Sequence, residues 1–101
     1  MRVVFDDEAL ADLLHIFEWI AKDNPRAADA LVARIFDKAE QLSAPELSQM
    51  GRPGLVEGTR ELLEGPYIIV YRVFDDGKIV ILAVVHGARN RINEDDNSQT
   101  N

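Results

Sequence analysis

The chain contains no cysteine, which removes both a disulfide framework and a thiolate metal site from consideration. Positive charge is scarce. Eleven Lys and Arg stand against eighteen Asp and Glu, for a formal net charge of -7, and such a balance ordinarily argues against gripping nucleic acid through its phosphates. Long apolar runs are missing too. The most apolar stretch, "IVILAVV" at 79–85, has seven residues, whereas a membrane-spanning helix needs about 20. The opening "MRVVFDDEAL" meets acids at Asp6 with no apolar signal core and no small-residue cleavage site, so a cytoplasmic protein is expected. No internal repeat or low-complexity tract stands out.

What remains is an ordinary globular composition. With 101 residues, 47% of them hydrophobic and 29% charged, the chain is one domain that can bury roughly two thirds of its unfolded surface. The charge is unevenly spread. Residues 1–50 hold ten acids against five bases, residues 51–91 hold five acids against six bases, and the tail from 92 adds Glu94, Asp95 and Asp96. The second half is therefore near neutral and rich in arginine.

"RVVF" at 2–5 is a short strand stopped by Asp6 and Asp7, either of which can cap a helix while Glu8 favours its positive end. Leu10, Leu13, Leu14, Phe17, Ile20 and Ala21 then recur at spacings of three and four, which predicts an amphipathic helix. "DNP" at 23–25 closes it and opens a second, with Asn24 as cap and Pro25 at the first helical position, where its missing N–H is not needed. Ala28, Leu31, Val32, Ile35, Ala39 and Leu42 carry this second helix to about Ser43. So short a connection makes an antiparallel helical hairpin.

"APELSQMGRPGLVEG" at 44–58 reads as a loop crossing to a sheet, since it holds two of the four prolines and three of the six glycines. "TRELLE" at 59–64, "YIIVYRVF" at 67–74 and "KIVILAVVH" at 78–86 read as three strands, parted by Gly65-Pro66 and by Asp76-Gly77, a strong hairpin signal. The expected fold is α+β, in the order β-α-α-β-β-β, with the helical hairpin on one face of a mainly antiparallel sheet. One domain covers 1–91, and the polar, acidic tail at 92–101 is expected to be flexible.

If both hairpins turn on two residues, Asp75 faces Lys78 and Glu64 faces Tyr67, and the strands sort into two faces. Leu63, Ile68, Val70, Phe74, Ile79, Ile81, Ala83 and Val85, with Glu61 and Arg72, form the set expected beneath the helices. Arg60, Leu62, Glu64, Tyr67, Ile69, Tyr71, Val73, Val80, Leu82, Val84 and His86 form the other, expected to be uncovered. An apolar face of that size is seldom left to water. A bulge or a one-residue slip exchanges the sets.

The element order, with "MGRPGLVEGTREL" before the sheet, "YIIVYRV" in its middle strand, "ILAVVHGAR" at its end and "LADLLHIFEWIAKDNPRAADALVARIFDKAEQL" as the hairpin, resembles the RelE/ParE family of bacterial toxins over residues 1–91, closer to its ParE branch. The resemblance implies a toxin paired with a cognate antitoxin whose C-terminal segment wraps the toxin's helices and sheet. It further implies one of two activities: ParE-like members poison DNA gyrase, and RelE-like members cut messenger RNA in the ribosomal A site. A third outcome is a non-toxic homologue acting only in an autorepressor complex. No cofactor, metal or membrane is implied.

On the nuclease reading, Arg60 would clamp phosphate, His86 would serve as acid or base with an ordinary pKa of about 6.5, Glu46 or Glu57 would be a base and Arg89 a second phosphate contact. RelE-like nucleases carry lysines in the loop and an aromatic after the last strand, and neither is present here. The gyrase reading needs no catalytic group, only a surface, for which Trp19, Arg60, Tyr67, Tyr71, His86 and Arg89 are the candidates. Most have a plain structural alternative, and His86 at a strand end would be a solvated or hydrogen-bonded histidine. Arg60 pairs with Glu61 or Glu64, Arg72 packs its stem and pairs with a helix carboxylate, Trp19 joins the core, and Tyr67 and Tyr71 are simply good β formers. "GRPG" at 51–54 lacks the lysine and the strand-to-helix setting of a phosphate loop and reads as a turn.

Overall fold

The structure, a computed structural model, describes residues 1–87. Arg89 and the tail at 92–101 lie outside the described residues. Arg2–Phe5 form β1, which leads through Asp6 into α1, Asp7–Ala21. Asp6 occupies the N-cap without a side-chain cap bond. Favourable charge at this helix end comes from Asp7 and Glu8 in the first turn. α2, Pro25–Glu40, begins as expected, with Asn24 Oδ1 accepting from the Ala27 N–H at 3.1 Å. Its last turn tightens into a 3-10 turn at Gln41–Ser43, and a second such turn follows at Pro45–Leu47.

The segment expected as plain loop also holds β2, the two-residue strand Arg52–Pro53, which pairs with β3, Arg60–Glu64. Pro53 lies on the sheet edge, where a residue without an N–H is tolerated. β4, Tyr67–Val73, and β5, Lys78–His86, complete a five-stranded sheet in the order β1-β5-β4-β3-β2. β1 runs parallel to β5 and every other pair is antiparallel. The expected α+β class, with two helices on a mainly antiparallel sheet, is the observed one.

Two irregularities change the register. The β4–β5 turn uses three residues, with the Gly77 N–H donating to the Phe74 carbonyl and Gly77 at φ +85°, a left-handed position that suits glycine. This slips the first part of the hairpin by one, so Val73 faces Ile79 and Tyr71 faces Ile81. A bulge opposite Val70 and Tyr71 leaves Leu82 as the extra residue and undoes the slip, so that Ile69 faces Val84 and Tyr67 faces His86. In a regular strand 79, 81 and 84 cannot all face one way. The bulge lets them do so.

The expected assignment of faces is therefore corrected. Leu62, Ile69, Tyr71, Ile79, Ile81 and Val84 form one buried cluster with Ala9, Leu13, Leu31, Ile35, Ala39 and Leu42 of the helical layer. Tyr67 and Val73 pack against that cluster. The tyrosine-bearing set is thus the interior. Leu63, Val70, Ala83 and Val85, with Val4 and Val80, face the other way. Ile68 on that side is buried, with the Gly87 N–H bonded to the Pro66 carbonyl beside it.

Candidate functional site

The crossing from α2 to the sheet lacks long regular structure, so its backbone groups need partners from elsewhere. Sheet side chains supply them. The Tyr71 ring is fully buried, and its hydroxyl donates to the Ser48 carbonyl at 3.1 Å while accepting from the Gly51 N–H at 3.0 Å. One phenol thereby satisfies two buried backbone groups twenty and more residues away. Arg60, the neighbour of Tyr71 across β3 and β4, donates Nη2 to the carbonyls of Gln49, at 2.9 Å, and Gly51. Arg72 donates to the Glu57 carbonyl at 3.2 Å and its guanidinium packs beside Gly58, whose φ is +85°. Arg52 bonds Glu61 at 3.0 Å through both Nε and Nη2.

This is the first answer to why the sheet carries so many arginines: three of them hold the loop. Neither expected partner of Arg60 is its partner, since Glu61 is held by Arg52 and Glu64 by Arg34 of α2 at 3.4 Å. Arg72 keeps the structural role expected of it, but on the face away from the helices and with a loop carbonyl in place of a helix carboxylate. Tyr71 is removed from the expected binding surface by its burial.

His86 sits at the other end of the sheet. It faces Tyr67, with the rings edge to face at 83° and their centroids 5.3 Å apart, and Tyr67 in turn faces Glu64. The His86 Nδ1 is buried with no hydrogen-bond partner among the described residues. A general acid or base is ordinarily oriented by a group on its second nitrogen, and nothing described here performs that office. Arg60 and His86 do share a face, as expected. They are nonetheless four residues apart along the strands and two strands apart, or about 13 Å by about 10 Å from ordinary strand spacings. Side chains of the interior, Ile69 and Tyr71, lie between them.

The remaining candidates scatter. Trp19 is exposed, with Lys22 Nζ 5.3 Å from its ring, so it is not the core residue its aromatic character suggested. Glu46 and Glu57 are exposed loop residues. An open depression beside Arg60, lined by Gln49, Pro53, Gly58, Thr59, Arg60 and Val73, has a volume of about 260 Å³, small for an enclosed ligand site. Among the described residues no group of three His, Asp or Glu is placed to hold a metal, and no helix is long and apolar enough to cross a membrane.

The sequence reading missed a surface on the helices. Leu10, Leu14 and Phe36 are large, apolar and exposed. Leu10 and Leu14 counted as part of the buried stripe because they keep its spacing, but they stand on its shoulder. The residues that enter the core from α1 are Ala9 and Leu13, with Ile16 and Ile20 packed beside them.

A two-helix layer on a mixed five-stranded sheet is the architecture shared with solved toxins of bacterial toxin-antitoxin systems. The chain belongs to the ParE toxin family of type II toxin-antitoxin systems, whose family model matches residues 3–91. It is 41% identical to the putative toxin Y4kP of Sinorhizobium fredii over 87 residues, 84% of this chain and 86% of that one. It is 33% identical to toxin RelE2 of Caulobacter vibrioides over 88 residues, 87% of this chain and 97% of that one. Among solved structures, a chain of the chromosomal ParDE system of P. aeruginosa superposes with a TM-score of 0.75 at 29% identity, covering 85% of this chain and 95% of its own. A chain of the Mycobacterium tuberculosis RelBE2 toxin-antitoxin complex superposes with a TM-score of 0.58 at 30% identity, covering 84% and 95%.

Proposed function

We propose that this chain is a toxin that inhibits DNA gyrase by binding it, and that a cognate antitoxin neutralises it. The observation that carries the first half is the commitment of Arg60. A guanidinium already bonded to two loop carbonyls, and separated from His86 by interior side chains, does not supply the phosphate clamp and adjacent acid that ribosome-dependent cleavage requires. A net charge of -7 also disfavours docking into ribosomal RNA. A gyrase poison needs neither feature. The second half is supported by the solved relatives, which come from toxin-antitoxin systems.

The test is to incubate the purified protein with gyrase and supercoiled DNA and, separately, with translating ribosomes. Inhibited supercoiling or accumulated cleaved DNA in the first reaction, with intact messenger RNA in the second, is the expected result. Messenger RNA cut at codon boundaries with gyrase untouched overturns it. Growth arrest on expression, relieved by co-expressing an antitoxin, is expected in cells. A chain that never slows growth supports the repressor-only role instead.

A further inference from the structure

The connection between β2 and β3 displays apolar side chains that the fold does not use. Leu55 and Val56 at its tip are 66% and 64% exposed. Single exposed apolar residues are ordinary on a protein surface, but these two are adjacent and the backbone beneath them is fastened from several sides. The Gly54 N–H donates to the Thr59 carbonyl at 2.8 Å and closes the base of the tip. The Val56 carbonyl accepts both the Thr59 N–H, at 3.1 Å, and the Thr59 hydroxyl, at 2.6 Å, and Thr59 itself is buried. From β4, Arg72 donates to the Glu57 carbonyl at 3.2 Å. A Cβ on Gly54 would strike the Thr59 hydroxyl, and Gly58 takes the left-handed φ of +85° against the Arg72 guanidinium, so both ends of the tip call for glycine.

The result is a stiff, convex, apolar knob. Its backbone is already ordered, so burying it in a partner costs little further entropy. A convex element needs a hollow that exists before contact, and that requirement separates the candidate occupants. A flexible segment that wraps the toxin, as expected of an antitoxin's C-terminal segment, brings protruding side chains of its own and no preformed hollow. The depression of about 260 Å³ beside Arg60 is lined by Pro53, Gly58 and Thr59 of this same connection and by the polar Gln49 and Arg60, a poor seat for a leucine from a second copy. Glu57 follows Val56 and is exposed, which disfavours an anionic membrane surface.

We propose that Leu55 and Val56 seat in an apolar pocket of a folded target protein and that, on the reading above, this target is gyrase. Thr59 and Arg72 act through the tip as positioning residues, since they hold the Val56 and Glu57 carbonyls.

The test measures binding of the full chain to immobilised gyrase by biolayer interferometry, with circular dichroism to confirm that each variant is folded. Leu55→Ser and Val56→Ser should each weaken binding by about tenfold, and the double variant by more. Leu14→Ser removes a leucine of similar exposure, 57%, from α1 and should leave binding within about twofold. Thr59→Val keeps both apolar side chains but frees the Val56 carbonyl from the hydroxyl. It should lose severalfold in affinity, and Thr59→Ser should recover the loss. In cells the Leu55→Ser, Val56→Ser chain should no longer arrest growth, yet should still co-purify with the antitoxin that rescues the parent. A double variant that binds gyrase as the parent does, or an equal loss from Leu14→Ser, overturns the proposal. So does an equal loss of antitoxin capture, or a parent dimer in sedimentation that the double variant dissolves, since either assigns the tip to another occupant. A parent that does not bind gyrase sinks the reading above instead, and growth arrest then decides on the tip. Undiminished arrest by the double variant overturns the docking knob, and abolished arrest keeps it for a different folded target. A parent that neither binds gyrase nor slows growth overturns both.

Discussion

Replacing Tyr71 by Phe isolates the claim that one hydroxyl fastens the crossing loop to the sheet. The ring stays, so no cavity opens beneath the helices and the hydrophobic term is nearly unchanged. What disappears is a donor to the Ser48 carbonyl and an acceptor for the Gly51 N–H, at 3.1 Å and 3.0 Å, in a place where Ser48 and Gly51 are both buried. A lost intramolecular bond is worth about 0.5–1.5 kcal/mol, and a buried N–H left without a partner costs about 1–3 kcal/mol. Together they give a destabilisation of about 2–4 kcal/mol, a sizeable part of the 5–15 kcal/mol or so that holds a domain together. In urea melts followed by far-ultraviolet circular dichroism, the midpoint should fall with an unchanged slope, because the surface exposed on unfolding is the same. Thermal midpoints should drop by about 8–30 °C, at about 4–8 °C per kcal/mol for a domain of this size. A loss under about 1 kcal/mol refutes the reasoning, because it means that the arginines hold the loop without the hydroxyl.

Gly51→Ala attacks the same junction from the other side. A Cβ there would lie 2.7 Å from the Glu61 carbonyl oxygen and 2.8 Å from the Tyr71 hydroxyl, so a loss of at least about 2 kcal/mol is expected in denaturant melts. Asp12→Ala should cost about 1–2 kcal/mol by orphaning the Val84 N–H, with faster hydrogen exchange at that amide, and Asp12→Asn, which keeps an acceptor oxygen, should recover much of it. His86→Ala should retain most growth arrest per molecule of soluble protein, as should Arg60→Ala once its lower abundance is allowed for. Complete loss of arrest in a folded His86→Ala protein, with messenger RNA cut at codon boundaries by the parent, would convert the reading to a nuclease.

The helical half was legible because its signals are local. The Asn24-Pro25 start, the three-and-four spacing and the brevity of the connection each act within a few residues, and the structure returns α1 and α2 nearly where those signals put them. β2 was not legible, since two residues carry no periodicity. The sheet register failed for a subtler reason. Asp76-Gly77 announces a tight turn but does not decide between two and three residues, and "IVILAVV" is apolar at every position, so nothing in it marks Leu82 as the one that drops out of the ladder. A strand apolar on both sides leaves its register weakly specified. The pairs furthest from the turn were nonetheless right, because the longer turn and the bulge shift the register in opposite directions.

The choice of face went wrong through a reasonable preference for aliphatic residues in the interior. Tyr71 and Arg60 read as surface groups because each carries polar atoms, yet polar atoms are an asset wherever an irregular segment must be laid against a sheet. Outside the two-residue β2, the segment at 44–58 has carbonyls and N–H groups with no ladder to join, and a phenol and a guanidinium of the sheet reach several of them. An aliphatic pair at those positions would leave the loop's buried groups unpaired, at about 1–3 kcal/mol each. Arginine and tyrosine in such a strand therefore signal a neighbouring loop as readily as they signal a substrate. Conversely, where the sequence looked most routine, the regular spacing of two amphipathic helices conceals that Leu10, Leu14 and Phe36 stay in water.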